Sequence, residues 1–156
     1  MKTRWTVLAG IALFALVLVL APIPAAAGDI GLRTGFALNP DDFVIGGHYR
    51  TPPIAEYLYF VPSAEVGFGD VTMVAFNADL HYLIDVKSKL APYVGAGMTI
   101  NWFDGENGAD SQTDVGGGII GGLMLGQTKN GRLFLEGKLG LGDVPDAKFL
   151  VGWNIR

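Results

Sequence analysis

The sequence predicts an all-β chain: an eight-stranded antiparallel up-and-down transmembrane β-barrel, a meander, preceded by a cleavable signal peptide. Three observations predict it. Apolar and polar residues alternate with a period of two through most of the chain. Turn residues interrupt that alternation at short intervals. The composition is also unusually apolar for a soluble domain: of 156 residues, 50% are hydrophobic and 17% charged, with a mean hydropathy of +0.37, where soluble domains carry about a quarter charged residues. The absence of Cys rules out disulfides, thiolate metal sites and cysteine nucleophiles.

The chain opens on Met1-Lys2-Thr3-Arg4 and a nearly uninterrupted apolar run from Trp5 to Leu20. Pro22 and Pro24 break the run, and Ala25-Ala26-Ala27 matches the small-x-small pattern read by signal peptidase. Cleavage is expected after Ala27, giving a signal peptide over 1–27 and a barrel domain over 28–156. A retained anchor is the other reading, since the run is close to the lower limit for a spanning helix. No Cys follows, which excludes a lipoprotein. Loss of Lys2 and Arg4 leaves nine basic against fifteen acidic residues, a net charge of −6, which argues against nucleic acid as a partner.

The strands follow in order. Residues 29–38 set Ile30, Leu32, Phe36 and Leu38 against Gly31, Arg33, Gly35 and Ala37, and Asn39-Pro40-Asp41-Asp42 turns. Residues 43–51 set Phe43, Ile45 and Tyr49 against Val44, Gly46, His48 and Arg50, and Thr51-Pro52-Pro53 ends the segment. Residues 57–68 set Leu58, Phe60, Ala64, Val66 and Phe68 against Tyr57, Tyr59, Ser63 and Glu65. Pro62 lacks an N–H, which a closed barrel has no free edge to hide, so a bulge or a later strand start is expected there. The longest alternation is 71–84, with Thr72, Val74, Phe76, Leu80, Tyr82 and Ile84 on one face and Asn77, Asp79 and His81 on the other. Residues 90–103, 114–126 and 132–141 repeat the pattern, and the last segment sets Phe149, Val151, Trp153 and Ile155 against Lys148, Gly152 and Asn154. Eight is an even count and the smallest that closes a common membrane barrel.

Alternation leaves open which face looks inward. A soluble barrel hides the apolar face, and a membrane barrel shows it to lipid. Two arguments favour lipid outside. The polar faces are mostly Gly and Ala with four positive charges (Arg33, Arg50, Lys138 and Lys148) and three negative ones (Glu65, Asp79 and Glu136). That is too few for a water-facing wall, and it suits a packed lumen whose charges must find partners. Approximate registers place Arg33, His48, Tyr59 and Asp79 as neighbours, and small inward residues let a narrow barrel curve. The charge at the two rims then segregates. One rim holds Asp41, Asp42, Asp70, Asp104, Glu106, Asp110, Asp143 and Asp146 with no Lys or Arg, and the other holds Lys87, Lys89, Lys129, Arg132 and Arg156 against Glu56 and Asp85. Aromatic residues near both rims (Trp102, Phe103, Phe43 and Phe68 at one, Phe60, Tyr82 and Tyr49 at the other) fit interfacial girdles.

With its signal peptide, its eight alternating strands and stretches such as A-P-Y-V-G-A-G-M (91–98) and N-A-D-L-H-Y (77–82), the mature chain resembles the small eight-stranded outer-membrane barrels of the OmpA/OmpX type. The resemblance implies both termini in the periplasm, the acidic rim outside the cell and a lumen too plugged for a wide pore; with nothing after the last strand, no peptidoglycan-binding domain is expected. It also implies contact with outer-membrane lipid and lipopolysaccharide, and with the barrel-insertion machinery during assembly. The chain departs from the pattern at its end: W-N-I-R (153–156) lacks the terminal aromatic that this machinery commonly reads.

The lumen network expected from these residues comprises Arg33, His48, Arg50, Tyr59, Glu65, Asp79, His81, Glu136, Lys138 and Lys148. An acidic surface loop is expected at Asp104, Glu106, Asp110 and Asp114. Its order, D-G-E-N-G-A-D-S-Q-T-D, lacks the fifth and sixth residues that an EF-hand calcium loop requires. Neither a metal nor a cofactor is expected. Some small barrels of this type modify lipid A, but Ser63 is expected to lie about 20 Å along the wall from the His81 pairing position, too far for a Ser-His pair. The sequence therefore supports a non-enzymatic outer-membrane protein with a structural or cell-surface interaction role. A lipid A-modifying enzyme and a soluble periplasmic lipocalin-like carrier are the alternatives. Fractionation separates the last of these: the barrel is expected in the outer membrane with a gel mobility that shifts on boiling, and release by osmotic shock would contradict it.

Overall fold

The computed structural model describes residues 28–69, 72–86, 88–104 and 112–155. The expected signal peptide, together with Glu106 and Asp110, lies outside them. Eight strands form, β1 Asp29–Leu38, β2 Asp42–Arg50, β3 Leu58–Gly69, β4 Thr72–Leu83, β5 Leu90–Asp104, β6 Gln112–Thr128, β7 Gly131–Gly142 and β8 Ala147–Ile155. Each pairs with its sequence neighbours and β8 closes on β1, so no strand has a free edge. The shortest, β2 and β8, have nine residues, which is enough to cross a bilayer when tilted.

Register sets the shape. Partners traced from Arg33 through Gly46, Glu65, Ala75 and Asn101 reach Asp114 on β6, and traced the other way through Gly152 and Phe134 they reach Met124. Those two positions are ten residues apart on one strand, so this eight-stranded barrel has a shear of ten. With strands about 4.8 Å apart and a rise of about 3.3 Å per residue, the tilt is about 41° and the backbone radius about 8 Å. A tube that narrow is filled by its own side chains.

The two faces separate as the alternation requires. Leu32, Phe36, Met98, Leu139, Leu141 and Phe149 are 54–64% exposed, whereas Arg33, Glu65, Asp79 and Lys148 are 1–3% exposed. This is an inverted core, viable only with hydrocarbon outside. The aromatic residues form two bands: Tyr49, Phe60, Tyr82 and Trp153 toward the β2–β3 end, and Phe36, Phe43, Phe68 and Trp102 toward the other. Phe103 does not belong to the outer band. It shares the lumen-facing side of β5 with Asn101 and pairs with Met73.

Three sequence expectations are corrected. Pro62 needs neither a bulge nor a late strand start. It pairs with Ala78 on β4, and on its other side the β2–β3 ladder runs from Asp42↔Gly69 to His48↔Ser63 and stops. Thr51 N–H donates to Phe60 O at 3.0 Å in the same register, so the missing donor falls in a gap. Asp104 and Asp114, both counted with the acidic surface loop, lie in strands: β5 ends at Asp104, and the β5–β6 hairpin continues through Asn101↔Asp114 to Phe103↔Gln112. There outward-facing Thr113, the partner of Trp102, breaks the apolar alternation because the hairpin has left the hydrocarbon. Asp42 is not on the acidic rim. It begins β2, is 1% exposed and points inward.

The inward glycines do more than permit curvature, since large side chains lie across them. A Cβ on Gly31 would strike the His48 ring, on Gly122 the Tyr93 ring, on Gly152 the Phe134 ring and on Gly97 the Asp79 carboxylate. On Gly46 it would lie 2.7 Å from Glu65 Cγ, and on Gly118 2.9 Å from Lys138 Cε. Outward-facing Gly121 has nothing within 4 Å. Gly97→Ala is therefore expected to lower the urea unfolding midpoint, costing about 1–3 kcal/mol. Gly121→Ala is expected to leave it unchanged or raise it by up to about 1 kcal/mol. Equal effects at the two sites would contradict this account.

Candidate functional site

The polar lumen is the site that the fold assembles. Call the end closed by the turn after β1 the upper rim. Lys148 Nζ, on β8 toward that rim, donates to Glu65 Oε2 on β3 at 2.8 Å. Asp42 and Lys148 both oppose Ala37, from the two strands that flank β1. Below them Lys138 reaches across the Gly97 and Gly118 positions, which are register partners. Its Nζ donates to Asp79 Oδ1 at 2.8 Å, Thr99 Oγ1 at 3.1 Å and Asn77 Oδ1 at 3.2 Å. Three bonds satisfy an ammonium completely.

Arg33 holds the centre. Its Nη1 lies 3.4 Å from Glu65 Oε1 and 3.5 Å from Glu136 Oε1. Its Nε donates to His48 Nδ1 at 3.3 Å, and its guanidinium sits 5.8 Å from the Phe134 ring centroid. Gly46 stands between Arg33 and Glu65 in the same register row, so the two side chains meet over a position without a Cβ. Toward the lower rim, Tyr93 Oη donates to Glu136 Oε2 at 2.7 Å, and the His81 ring stacks on Tyr93 at 4.8 Å. Arg50 lies over the Tyr59 ring at 3.8 Å, 3.8 Å from Asp29 Oδ2. Arg132, which opens the seventh segment and is counted with the lower rim's charges, stands on the lumen side of β7 as the register partner of Asn154.

All ten predicted network residues therefore face the lumen, but their partners differ from expectation. Arg33 and His48 are neighbours as expected. Tyr59 instead pairs with His81 in register and carries Arg50, and Asp79 belongs to Lys138. Sequence reasoning missed Asp42 as a lumen residue, and with it the charge balance: Arg33, Arg50, Lys138 and Lys148 face Asp42, Glu65, Asp79 and Glu136, four against four, all buried. It also left out the neutral members Thr99, Tyr93 and Asn154. Their inward alternation was visible, but their partners depend on register.

The arrangement offers little for catalysis. Arg33 only donates, so His48 Nδ1 accepts and Nε2 must carry the proton it gives to Asn154 Oδ1 at 2.6 Å. Neither nitrogen is left to act as a base. Ser63 is the register partner of His48, whose two nitrogens are taken, and it lies four residues, about 13 Å, along β3 from Tyr59, the register partner of His81. That is closer than the sequence reading placed it and still out of reach, and its hydroxyl accepts from Asn77 Nδ2 at 3.1 Å. The cavity between Arg33, His81, Phe134 and Glu136 measures about 10 Å³, no more than a single water needs.

No family model matches the chain, and no curated protein matches it in sequence. Among solved structures it is similar to the N-terminal β-barrel domain of Pseudomonas aeruginosa OprF, with 18% identity and a TM-score of 0.68 over 83% of this chain and 97% of that one. It is similar to Neisserial surface protein A (NspA), with 16% identity and a TM-score of 0.63 over 83% and 95%. The Yersinia pestis outer membrane protein Ail matches at 13% identity and a TM-score of 0.51 over 83% and 99%. The chain thus has the fold of the small eight-stranded outer-membrane β-barrels.

Asp79→Ala strands the Lys138 ammonium in the lumen and is expected to cost about 3–5 kcal/mol of unfolding free energy. Asp79→Leu combined with Lys138→Met is expected to recover most of that loss, because both charges leave together. A double variant as unstable as Asp79→Ala would show that the pair is not the coupled unit described.

Proposed function

We propose that this chain is a non-enzymatic protein of the outer membrane with a structural or cell-surface interaction role, in which the barrel is a plugged, rigid carrier for its upper turns. One observation carries the reading: bonded side chains such as Lys138–Asp79, Lys148–Glu65 and Arg33–Glu65 cross the lumen, and the cavity between Arg33, His81, Phe134 and Glu136 measures about 10 Å³. A cavity of that size has no room for a solute or a substrate headgroup. A lipid-modifying centre would also have to open sideways toward the bilayer, whereas Ser63, His48, His81 and Asp79 point away from it and are 1–5% exposed.

The resemblance to outer-membrane barrels supports an orientation with the acidic rim outside the cell and the termini in the periplasm. Asp41, Asp143 and Asp146 are then exposed to the medium, while Lys89 and Lys129 lie at the periplasmic face. Lipid and lipopolysaccharide are the proposed surroundings, and the insertion machinery is the proposed partner in assembly. Deleting the gene is expected to leave the mass profile of lipid A unchanged. A change that His48→Ala or His81→Ala reproduces would establish the enzymatic alternative instead.

A further inference from the structure

We propose that the lipid-facing wall carries a seat for one membrane amphiphile whose head bears a cationic amine. The first observation is a contrast among the glycines. The lumenal ones named above each lie beneath a neighbour's side chain. Gly121 and Gly137 are register partners that point outward. Gly121 has nothing within 4 Å, and only contacts at 3.9 and 4.0 Å approach Gly137. A glycine inside a strand weakens it and marks a place where a ligand or another backbone comes close. Here no part of the barrel uses the space.

These two glycines floor a groove of about 670 Å³, with Leu123 and Leu135 on one side and Phe149, Phe36 and Thr34 on the other. The volume falls in the range of pockets that hold small molecules. Thr34 supplies a hydroxyl to the wall, but that hydroxyl donates to Val44 O at 2.9 Å and is satisfied. The groove accepts hydrocarbon and offers no hydrogen bond.

The head is specified by what lies above. Partners read outward from Gly137 are Phe149, Phe36, Phe43 and Phe68, on β8, β1, β2 and β3. Because the strands tilt, this aromatic row climbs from the groove to the upper rim. There the turns that cap β1–β2 and β7–β8 present Asp41, Asp143 and Asp146, all exposed, and Asn39 Nδ2 donating to Asp146 Oδ2 at 2.5 Å ties the two turns together. Neither turn contains Lys or Arg. Gly137 is six residues from Asp143, about 20 Å at strand rise, so a tail seated on Gly137 brings its head among carboxylates. An anionic head is repelled there and an amine is attracted. A second copy suits the site less well, because a two-fold axis along the membrane normal would set one acidic rim against another.

The test uses the purified barrel in an uncharged detergent, with binding of tetradecylamine and tetradecyl sulfate measured by native mass spectrometry. The barrel is expected to retain one tetradecylamine, and to bind it about tenfold or more tightly than the sulfate. Gly121→Leu with Gly137→Leu fills the groove and is expected to lose both ligands. Asp41→Asn with Asp143→Asn is expected to keep a ligand and lose the preference for amine. The shift in gel mobility on boiling checks that each variant is folded, and Gly137→Val alone replaces the leucine pair if that pair fails the check. Equal binding of amine and sulfate, or unchanged binding in the filled variant, overturns the proposal. A native dimer that the filled variant converts to monomer overturns it in favour of a second copy.

Discussion

The constraint on which this structure depends is that four cations buried inside a narrow, lipid-surrounded tube must each find an anion within the same tube. The Lys138–Asp79 contact shows how the chain meets it. An ammonium and a carboxylate on β7 and β4 are separated by two strands, and they meet only because the wall between them offers Gly97 and Gly118. Gly46 serves Arg33 and Glu65 in the same way. Neutralisation therefore dictates where glycine stands, and glycine in turn explains why a sheet protein tolerates a residue that weakens sheets. Burial of an ion pair is a weak source of stability, whereas removal of one partner is costly. The network is thus better understood as fixing one arrangement of the barrel than as supplying most of its free energy.

The same constraint decides what the lumen does. Every strong donor near the centre is engaged: Lys138 with three oxygens, Arg33 with two carboxylates and an imidazole, His48 with a partner at each nitrogen. A side chain held by its neighbours on all sides contributes rigidity and little chemistry. The proposed role therefore falls to the outside of the wall and to the turns, where acidic residues gather at one rim and basic ones at the other.

Much of this was legible in the sequence. Period-two alternation identified all eight strands and assigned all ten named network residues to the inner face, because facing depends only on parity along one strand. Partnership was not legible, because it depends on the shear of the closed barrel. A shift of two residues preserves every face and changes every neighbour, so Asp79 could be placed inside but not beside Lys138. Asp42 was missed because a turn signal, Asn39-Pro40-Asp41-Asp42, overlaps the first residue of β2. Asp114 was counted with the acidic loop although it also opens the sixth alternating segment, because outward Thr113 before it is not apolar once the hairpin rises past the membrane. The role of the inward glycines was hidden for the same reason as the pairing, since it appears only when the neighbouring strand is set in register.

The most direct test of a dry, charge-compensated lumen is nuclear magnetic resonance of the lysine ammonium groups in the folded barrel. Ammonium protons open to water exchange too fast to be seen, while those held by buried oxygens persist. Lys138 and Lys148 should give persistent signals coupled to the carboxylates of Asp79 and Glu65, and Lys89 and Lys129 should give none. A Lys138 signal that exchanges as fast as that of Lys129 would mean a water-filled lumen and would contradict the account.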